Sequence, residues 1–446
     1  MVIDVNTTLL LHLATGAGAA YLLRLHQPKL VSLARSFFEA RTDIRRLTAA
    51  QDVAQGILLM NDLTDLIEIR DIVAKQELRR QIKYGKQQDH TAHTVYLYFL
   101  GLYLYDNLPQ LTEAVGKKCK AQRPIDRDKY FLLQWAYASL LHDIGYAFHN
   151  LELDTQQDRK LIDDVFSWEW VNRQCSALST AAAEALHAAH QSWSSKYAGA
   201  MPPGTASYAA DSHVDVLRRL AHAPWLGDLS SQFQGKDIFD VLDRTSSLRH
   251  YAFEVATKGY GGQGRCVDHA VGSGLFLFQY ASFWYWLMYH VKRTAPPDVY
   301  RQAAGGYDYK ARNLRTDIIA ACRAVAFHNI QPATDAGKLI IPRLTLKDDP
   351  ITFLAILCDE LQRWDRYPAG WMYLDQYRVF SDSALESRDI EILCNGTREN
   401  PEALFVIHKK PGVSDQKEFL DDFRKTLMAR LPEFSQVLNL AVRKPL

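Results

Sequence analysis

Leu140-Leu-His-Asp-Ile-Gly-Tyr146 is the stretch on which the reading of this chain turns. Ahead of it, Tyr130-Phe-Leu-Leu-Gln-Trp-Ala-Tyr-Ala-Ser-Leu140 puts apolar residues on most sides of a helix. A helix without a polar face is a buried one. This one runs into His142 and Asp143, side by side, with Gly145 expected to cap its C-terminus. Aspartate is almost never fully buried without a partner, and an unpaired carboxylate in a core is costly or becomes protonated. A divalent cation keeps a neutral imidazole and a carboxylate together inside a helical core. The adjacent pair therefore reads as a metal site, whereas either residue alone reads as structural.

The 446 residues exceed what one core ordinarily supports, so one large domain with additions, or two domains, is expected. With 48% hydrophobic and 23% charged residues, the composition is that of a globular chain. Its 52 basic and 51 acidic residues leave a net charge of +1, which gives no ground for a nucleic-acid surface or a polybasic membrane patch. Cys119, Cys175, Cys266, Cys322, Cys358 and Cys394 are scattered without Cys-x-x-Cys spacing. That argues against a zinc knuckle or a disulfide framework and for free thiols in a reducing cytosol, so a cytoplasmic protein is expected. Thr8 to Leu25 is mildly apolar, but His12 and Arg24 interrupt it and it lacks the basic start of a signal peptide. It reads as a buried or partner-facing helix, and no membrane span is expected.

Residues 1–85 are helical in pattern, with apolar positions recurring at threes and fours through Leu30–Phe38 and Gln51–Val73. They are expected to form a helical cover or a dimer surface, and whether the chain is a homo-oligomer stays open. Asp89 stands as N-cap of an apolar helix whose first turn carries His90 and His93 on neighbouring parts of one face. Residues 150–258 read as a helical insertion, with helical pieces at Trp168–Trp170, Ala181–His190 and Val214–Leu220. His187 and His190 have a ligand-like spacing there but no acidic companion, and read as packing or surface residues. The glycine-rich loop Lys258–Arg265 lacks the Lys-Ser/Thr ending of a P-loop, yet it delivers Asp268 and His269 to another apolar helix, Ala270–Tyr289. Thr316–Phe327 is a further helix, ending at His328-Asn329. Asp349-Pro350 opens the last apolar helix, with Asp as N-cap, Pro in the first turn and Asp359 in the third. From residue 371 the texture changes. Asp389–Cys394 and Ala403–His408 read as strands around an Asn395-Gly396 turn, and Gln416–Leu431 as an amphipathic helix.

His93, His142, Asp143, His269, His328 and Asp359 each lie in, or at the end of, a long apolar helix. Four imidazoles and two carboxylates suit one or two divalent ions, with Mn, Fe, Mg, Ni, Co and Zn not told apart. Such a centre activates a water near neutral pH and clamps the oxygens of a phosphoryl group. The order of these residues resembles that of the HD superfamily of metal-dependent phosphohydrolases. The matching segments are His93-Thr94-Val95, the Leu140–Gly145 string, and Asp359 within Leu-Cys-Asp-Glu-Leu-Gln-Arg-Trp. Tyr146 stands where the HD-GYP branch commonly has Lys, and no Gly-Tyr-Pro follows. The resemblance spans roughly Lys86 to Tyr367. It implies an all-α catalytic core, and with the flanking patterns the expected architecture is mainly α: an N-terminal helical region (1–85), an HD catalytic core (86–370) with its insertion, and a small α+β appendage (371–446). It also implies that His93, His142, Asp143 and Asp359 hold a first metal, with His269 and His328 as the extra histidines of two-metal branches.

The function expected is therefore metal-dependent hydrolysis of a nucleotide or other small phosphoester. Asp143, His269 and His328 would be the catalytic groups, and Lys86, Arg265, Arg363 and Arg366 would meet the phosphate charge. Two alternatives stay open: an HD fold kept as a nucleotide-sensing or assembly module, and a di-iron oxygenase on the same ligand set. Whether His90, His187 or His190 joins the site is left open, as is the substrate.

Overall fold

His90–Asn107 has no polar stripe, and every residue from Thr91 to Tyr105 is buried. A helix of that composition has to be wrapped on all sides. In the computed structural model this is what surrounding helices do. The structure describes residues 4–40, 43–60, 66–71, 73–75, 90–121, 123–149, 164–175, 177–197, 212–243, 245–259, 265–305, 307, 309–330, 344–362, 364–365, 386–394, 403–408, 421, 424–425 and 427–443. The described residues are mainly α-helical, with one small sheet. They fall into two compact units. One is formed by residues 1–63, 73–141 and 343–446, the other by residues 64–72 and 142–342. The divisions expected at 85/86 and 370/371 lie outside the described residues.

In the first unit, Gly18–His26, Asp43–Met60, Pro124–Leu140 and Pro350–Leu361 pack around His90–Asn107. Two of the polar groups carried inside are paired across helices. Trp135 Nε1 donates to Tyr98 O at 2.9 Å, and Tyr105 donates to Asp128 at 2.8 Å while its ring stacks on Phe131. Leu30–Phe38 is a helix over the expected residues. Thr8 to Leu25, expected as one helix, is instead two, Val5–Thr15 and Gly18–His26, bent by 69°. The break follows from Asp106, whose carboxylate accepts from the Ala19 and Ala20 amides at 2.8 and 2.9 Å and so caps the second helix from 87 residues away. Gly18 takes φ +62°, and a Cβ there would stand 2.4 Å from Asp106 Oδ1. No single helix among the described residues is long and apolar enough to cross a membrane.

The sheet belongs to this same unit. β1 (Ile390–Cys394) and β2 (Ala403–His408) are antiparallel, with Ile390 opposite Ile407. A third strand not read in the sequence, β3 (Leu438–Arg443), lies parallel to β2, with Ala403 opposite Leu438. The first helix packs against β1, so the N-terminal helices and the C-terminal sheet share one core. The expected Gln416–Leu431 helix and the Asn395-Gly396 turn fall largely or wholly outside the described residues.

The second unit is built on the 26-residue helix His269–Thr294, buried without interruption from Ala270 to Phe283. Ile319–Phe327, Thr180–Tyr197 and His213–Ala221 pack on it. Several of its buried polar groups find partners within the unit. Gln279 donates to Arg219 O and His222 O, Trp225 Nε1 donates to Ser282, and Trp170 Nε1 donates to Tyr280. Ile319–Phe327 continues from a π-helical turn, Leu314–Ile318.

Candidate metal centre

The Pro124–Leu140 helix stops with Leu141 as its C-cap, and His142 to Gly145 form the turn before the short helix Tyr146–His149. Gly145, expected as the cap, has a different role. Its amide donates to Ser273 Oγ at 2.6 Å, and Ser273 in turn donates to His269 O at 2.8 Å. A Cβ on residue 145 would stand 1.9 Å from His269 O and 2.5 Å from Ser273 N. Only glycine allows the turn to lie this close to the first turn of the long helix. That contact brings Asp143 to His269.

His269 is the first residue of its helix because Asp268 caps it, accepting from Val271 N at 3.1 Å. The same carboxylate accepts from Tyr251 and from Asn329, each at 3.1 Å. Asn329 follows His328, which closes the Ile319–Phe327 helix as its C-cap. One buried aspartate therefore braces the neighbours of two histidines.

Around Asp143, His142 Nε2 lies 3.2 Å from Oδ2, while His269 Nε2 and His328 Nε2 lie 3.5 and 3.8 Å from Oδ1. The rings of His142 and His328 meet edge to face at 4.5 Å. Two ligands that each stand about 2.0–2.2 Å from one cation are roughly 3.0 Å apart at a right angle and roughly 3.4 Å apart at a tetrahedral one. The first two spacings match that range, and 3.8 Å corresponds to a wider angle. His328 adds a chemical argument. Its Nδ1 lies 2.7 Å from Val325 O, an atom that only accepts, so Nδ1 carries the proton. The neutral ring then turns the Nε2 lone pair toward Asp143, as metal-bound histidines do when a backbone carbonyl holds the other nitrogen. The donor atoms of His142, Asp143 and His328 all lie within 4.8 Å of one another. The residues present fit a divalent cation.

The side chains of His142, Asp143 and His328 are 2, 7 and 2% exposed, and that of His269 is 12%, the most open of the four. Tyr146 stacks on His269 at 4.2 Å between ring centroids.

His93 and Asp359 meet in the first unit. His93 Nε2 lies 2.9 Å from Asp359 Oδ1, again the spacing of neighbouring ligands. Asp359 is reached as expected, in the third turn of Pro350–Leu361, which starts with Asp349 accepting from Thr352 N. The other nitrogen of His93 faces Gln362 Oε1. Gln362 went unread in the sequence, although its place three residues after Asp359 on the same helical run was the available signal.

His187 and His190 are engaged in packing. His187 stacks on Trp168, and His190 Nε2 lies 2.9 Å from Phe166 O, which makes it the donor. His90 opens its helix. Of the cationic candidates, Arg265 is exposed three residues before Asp268, and Lys86, Arg363 and Arg366 lie outside the described residues. All six cysteines are free, and burial pushes the thiols of Cys175 and Cys266 up to about 11.

Comparison of the chain with protein-family models, with curated proteins and with solved structures finds no match. What the fold and the cluster define is a mainly α protein with a buried His/Asp group able to hold a metal ion.

Proposed function

We propose that this chain is a metal-dependent phosphohydrolase or phosphodiesterase of the HD type, acting on a nucleotide or a related small phosphoester. The observation that supports this most is the convergence of three imidazole Nε2 atoms on the buried Asp143 carboxylate, at 3.2, 3.5 and 3.8 Å. In this reading His142, Asp143, His269 and His328 are metal ligands, and so are His93 and Asp359, paired in the first unit. One or two divalent ions there would supply an activated water near neutral pH and positive charge for the phosphoryl oxygens. Asp143 orients that water by accepting its hydrogen bond. Where a single ion leaves His269 unligated, this residue, the most open of these histidines and stacked on Tyr146, is the group placed to pass a proton to the leaving oxygen. Arg265, exposed ahead of the Asp268 cap, meets the phosphate charge.

The test is metal content per chain together with phosphate release from a panel of nucleotides, cyclic nucleotides and model phosphodiesters under Mn²⁺, Mg²⁺, Co²⁺ and anaerobic Fe²⁺. One or two ions per chain and a turnover that Asp143→Asn lowers by about 100-fold or more are expected. Bound nucleotide without turnover would point to a sensing module. Oxygen uptake by the iron-loaded protein would point to an oxygenase. Absence of metal after reconstitution would overturn the proposal.

A further inference from the structure

We propose that Gln362 is a positioning residue for His93: it holds the imidazole proton on Nδ1 and so turns the Nε2 lone pair toward Asp359. The inference rests on the reading of His93 and Asp359 as metal ligands, but it is carried by a separate chain of hydrogen bonds. Gln362 is fully buried. Its amide Nε2 donates to Trp364 O at 2.7 Å, and a carbonyl oxygen can only accept. The amide is therefore oriented, and the atom left to face His93 is Oε1. An oxygen acceptor beside Nδ1 requires Nδ1 to be the protonated nitrogen. Trp364 is itself fixed: it is fully buried, and its indole Nε1 donates to Asn6 Oδ1 at 3.3 Å. Asn6 Nδ2 donates onward to Asp365, which also accepts from Tyr96, one turn beyond His93 on the same helix.

The consequence lies at the other nitrogen. With the proton on Nδ1, a neutral His93 presents a lone pair to Asp359 Oδ1 across 2.9 Å. Two acceptors at that distance repel, and a cation bound by both turns the repulsion into coordination. The pair is open on one side, with His93 4% and Asp359 21% exposed, so an ion can reach it. An acceptor that holds the far nitrogen of a ligating histidine fixes the ring and its tautomer, and its loss weakens metal binding about 10- to 100-fold.

The experiment uses the full chain, ¹⁵N-labelled at histidine, with the His93 signals assigned through His93→Asn, and Mn²⁺ as the metal probe. Gln362→Met keeps the volume and removes the acceptor, whereas Gln362→Glu keeps an acceptor. In metal-free wild type, His93 is expected as the Nδ1–H tautomer. Gln362→Met is expected to mix the tautomers and to weaken Mn²⁺ binding about 10- to 100-fold. Gln362→Glu is expected to retain the tautomer. A wild-type His93 protonated on Nε2 overturns the proposal even if Gln362→Met does not fold. Unchanged tautomer and Mn²⁺ affinity in Gln362→Met overturn it as well. If wild type shows the Nδ1–H form, lost in Gln362→Met, yet binds no Mn²⁺, the positioning stands and the metal reading of this pair falls.

Discussion

Asn329 donates to Asp268 at 3.1 Å, and that bond joins the residue after His328 to the residue before His269. Two histidines on different helices thus share one support. Asn329→Ala removes a donor from a buried carboxylate, which costs about 1 to 3 kcal/mol of stability. Because it also frees His328 from His269, Mn²⁺ affinity is expected to fall about ten-fold. Urea unfolding and Mn²⁺ titration on the same variant measure both. A stability loss with unchanged Mn²⁺ affinity would show that the bond braces the helices and not the ligands.

Gly145 carries a steric prediction. A Cβ at 1.9 Å from His269 O and 2.5 Å from Ser273 N meets backbone that cannot rotate away. Gly145→Ala is expected to cost about 3 kcal/mol and to move the His142–Asp143 turn. Gly56→Ala is the contrasting control. Its Cβ would find Leu33 Cδ1 at 3.5 Å and Gln27 Nε2 at 3.6 Å, ordinary contacts within a helix. A gain of about 0.5 to 1 kcal/mol is expected there. Thermal midpoints that move in the same direction for both variants would contradict this account.

Much of this was legible in the sequence because it is local. The Asp349-Pro350 cap, the Leu30–Phe38 helix and the two strands at 390–394 and 403–408 each follow from neighbouring residues. So does the placing of His142 and Asp143 just past a buried helix. What was missed depends on partners distant in the chain. The break at Gly16–Ala17 is set by Asp106, and the role of Gly145 by Ser273, 128 residues on. β3 has the alternation of a strand, but its parallel pairing with β2 needs a crossover that no short window reveals. Gln362 was passed over for the charged residues beside it, because an amide shows its worth only once its two partners are known.

His190 sets a pH dependence in the second unit. Burial holds its imidazole below the ordinary value of 6.5, with donation to Phe166 O acting the other way. A histidine with a depressed folded pKa binds fewer protons folded than unfolded, so the stability it confers is full above about 6.5 and is lost as pH falls through the folded value. His190→Phe keeps an aromatic ring against Trp193 and Phe283 but cannot titrate. The variant is expected to be less stable at pH 7.5, since Phe166 O loses its donor, and to lose less stability than wild type between pH 6.5 and 5. Parallel melting curves across that window would refute the assignment.

Asp365 is a non-glycine residue at φ +53°, buried, in the segment that links Asp359 and Gln362 to the sheet. Its carboxylate accepts from Asn6 Nδ2 at 3.2 Å, Tyr96 at 3.0 Å and Ser387 N at 3.0 Å, while Arg46 donates to its carbonyl. Asparagine and aspartate tolerate the left-handed region better than other side chains, which reconciles the φ with the need for a carboxylate. Asp365→Ala leaves three donors, two of them buried and the Ser387 amide half-buried, without their acceptor and adds backbone strain, so a loss of about 3 kcal/mol or more is expected. Asp365→Gly removes the same bonds but relieves φ, and should be about 1 kcal/mol more stable than the alanine variant. Urea unfolding of the two separates hydrogen bonding from conformation. Equal losses would mean that φ +53° costs nothing here, and a small loss in both would mean that the network is not what holds His93 and Gln362 in register.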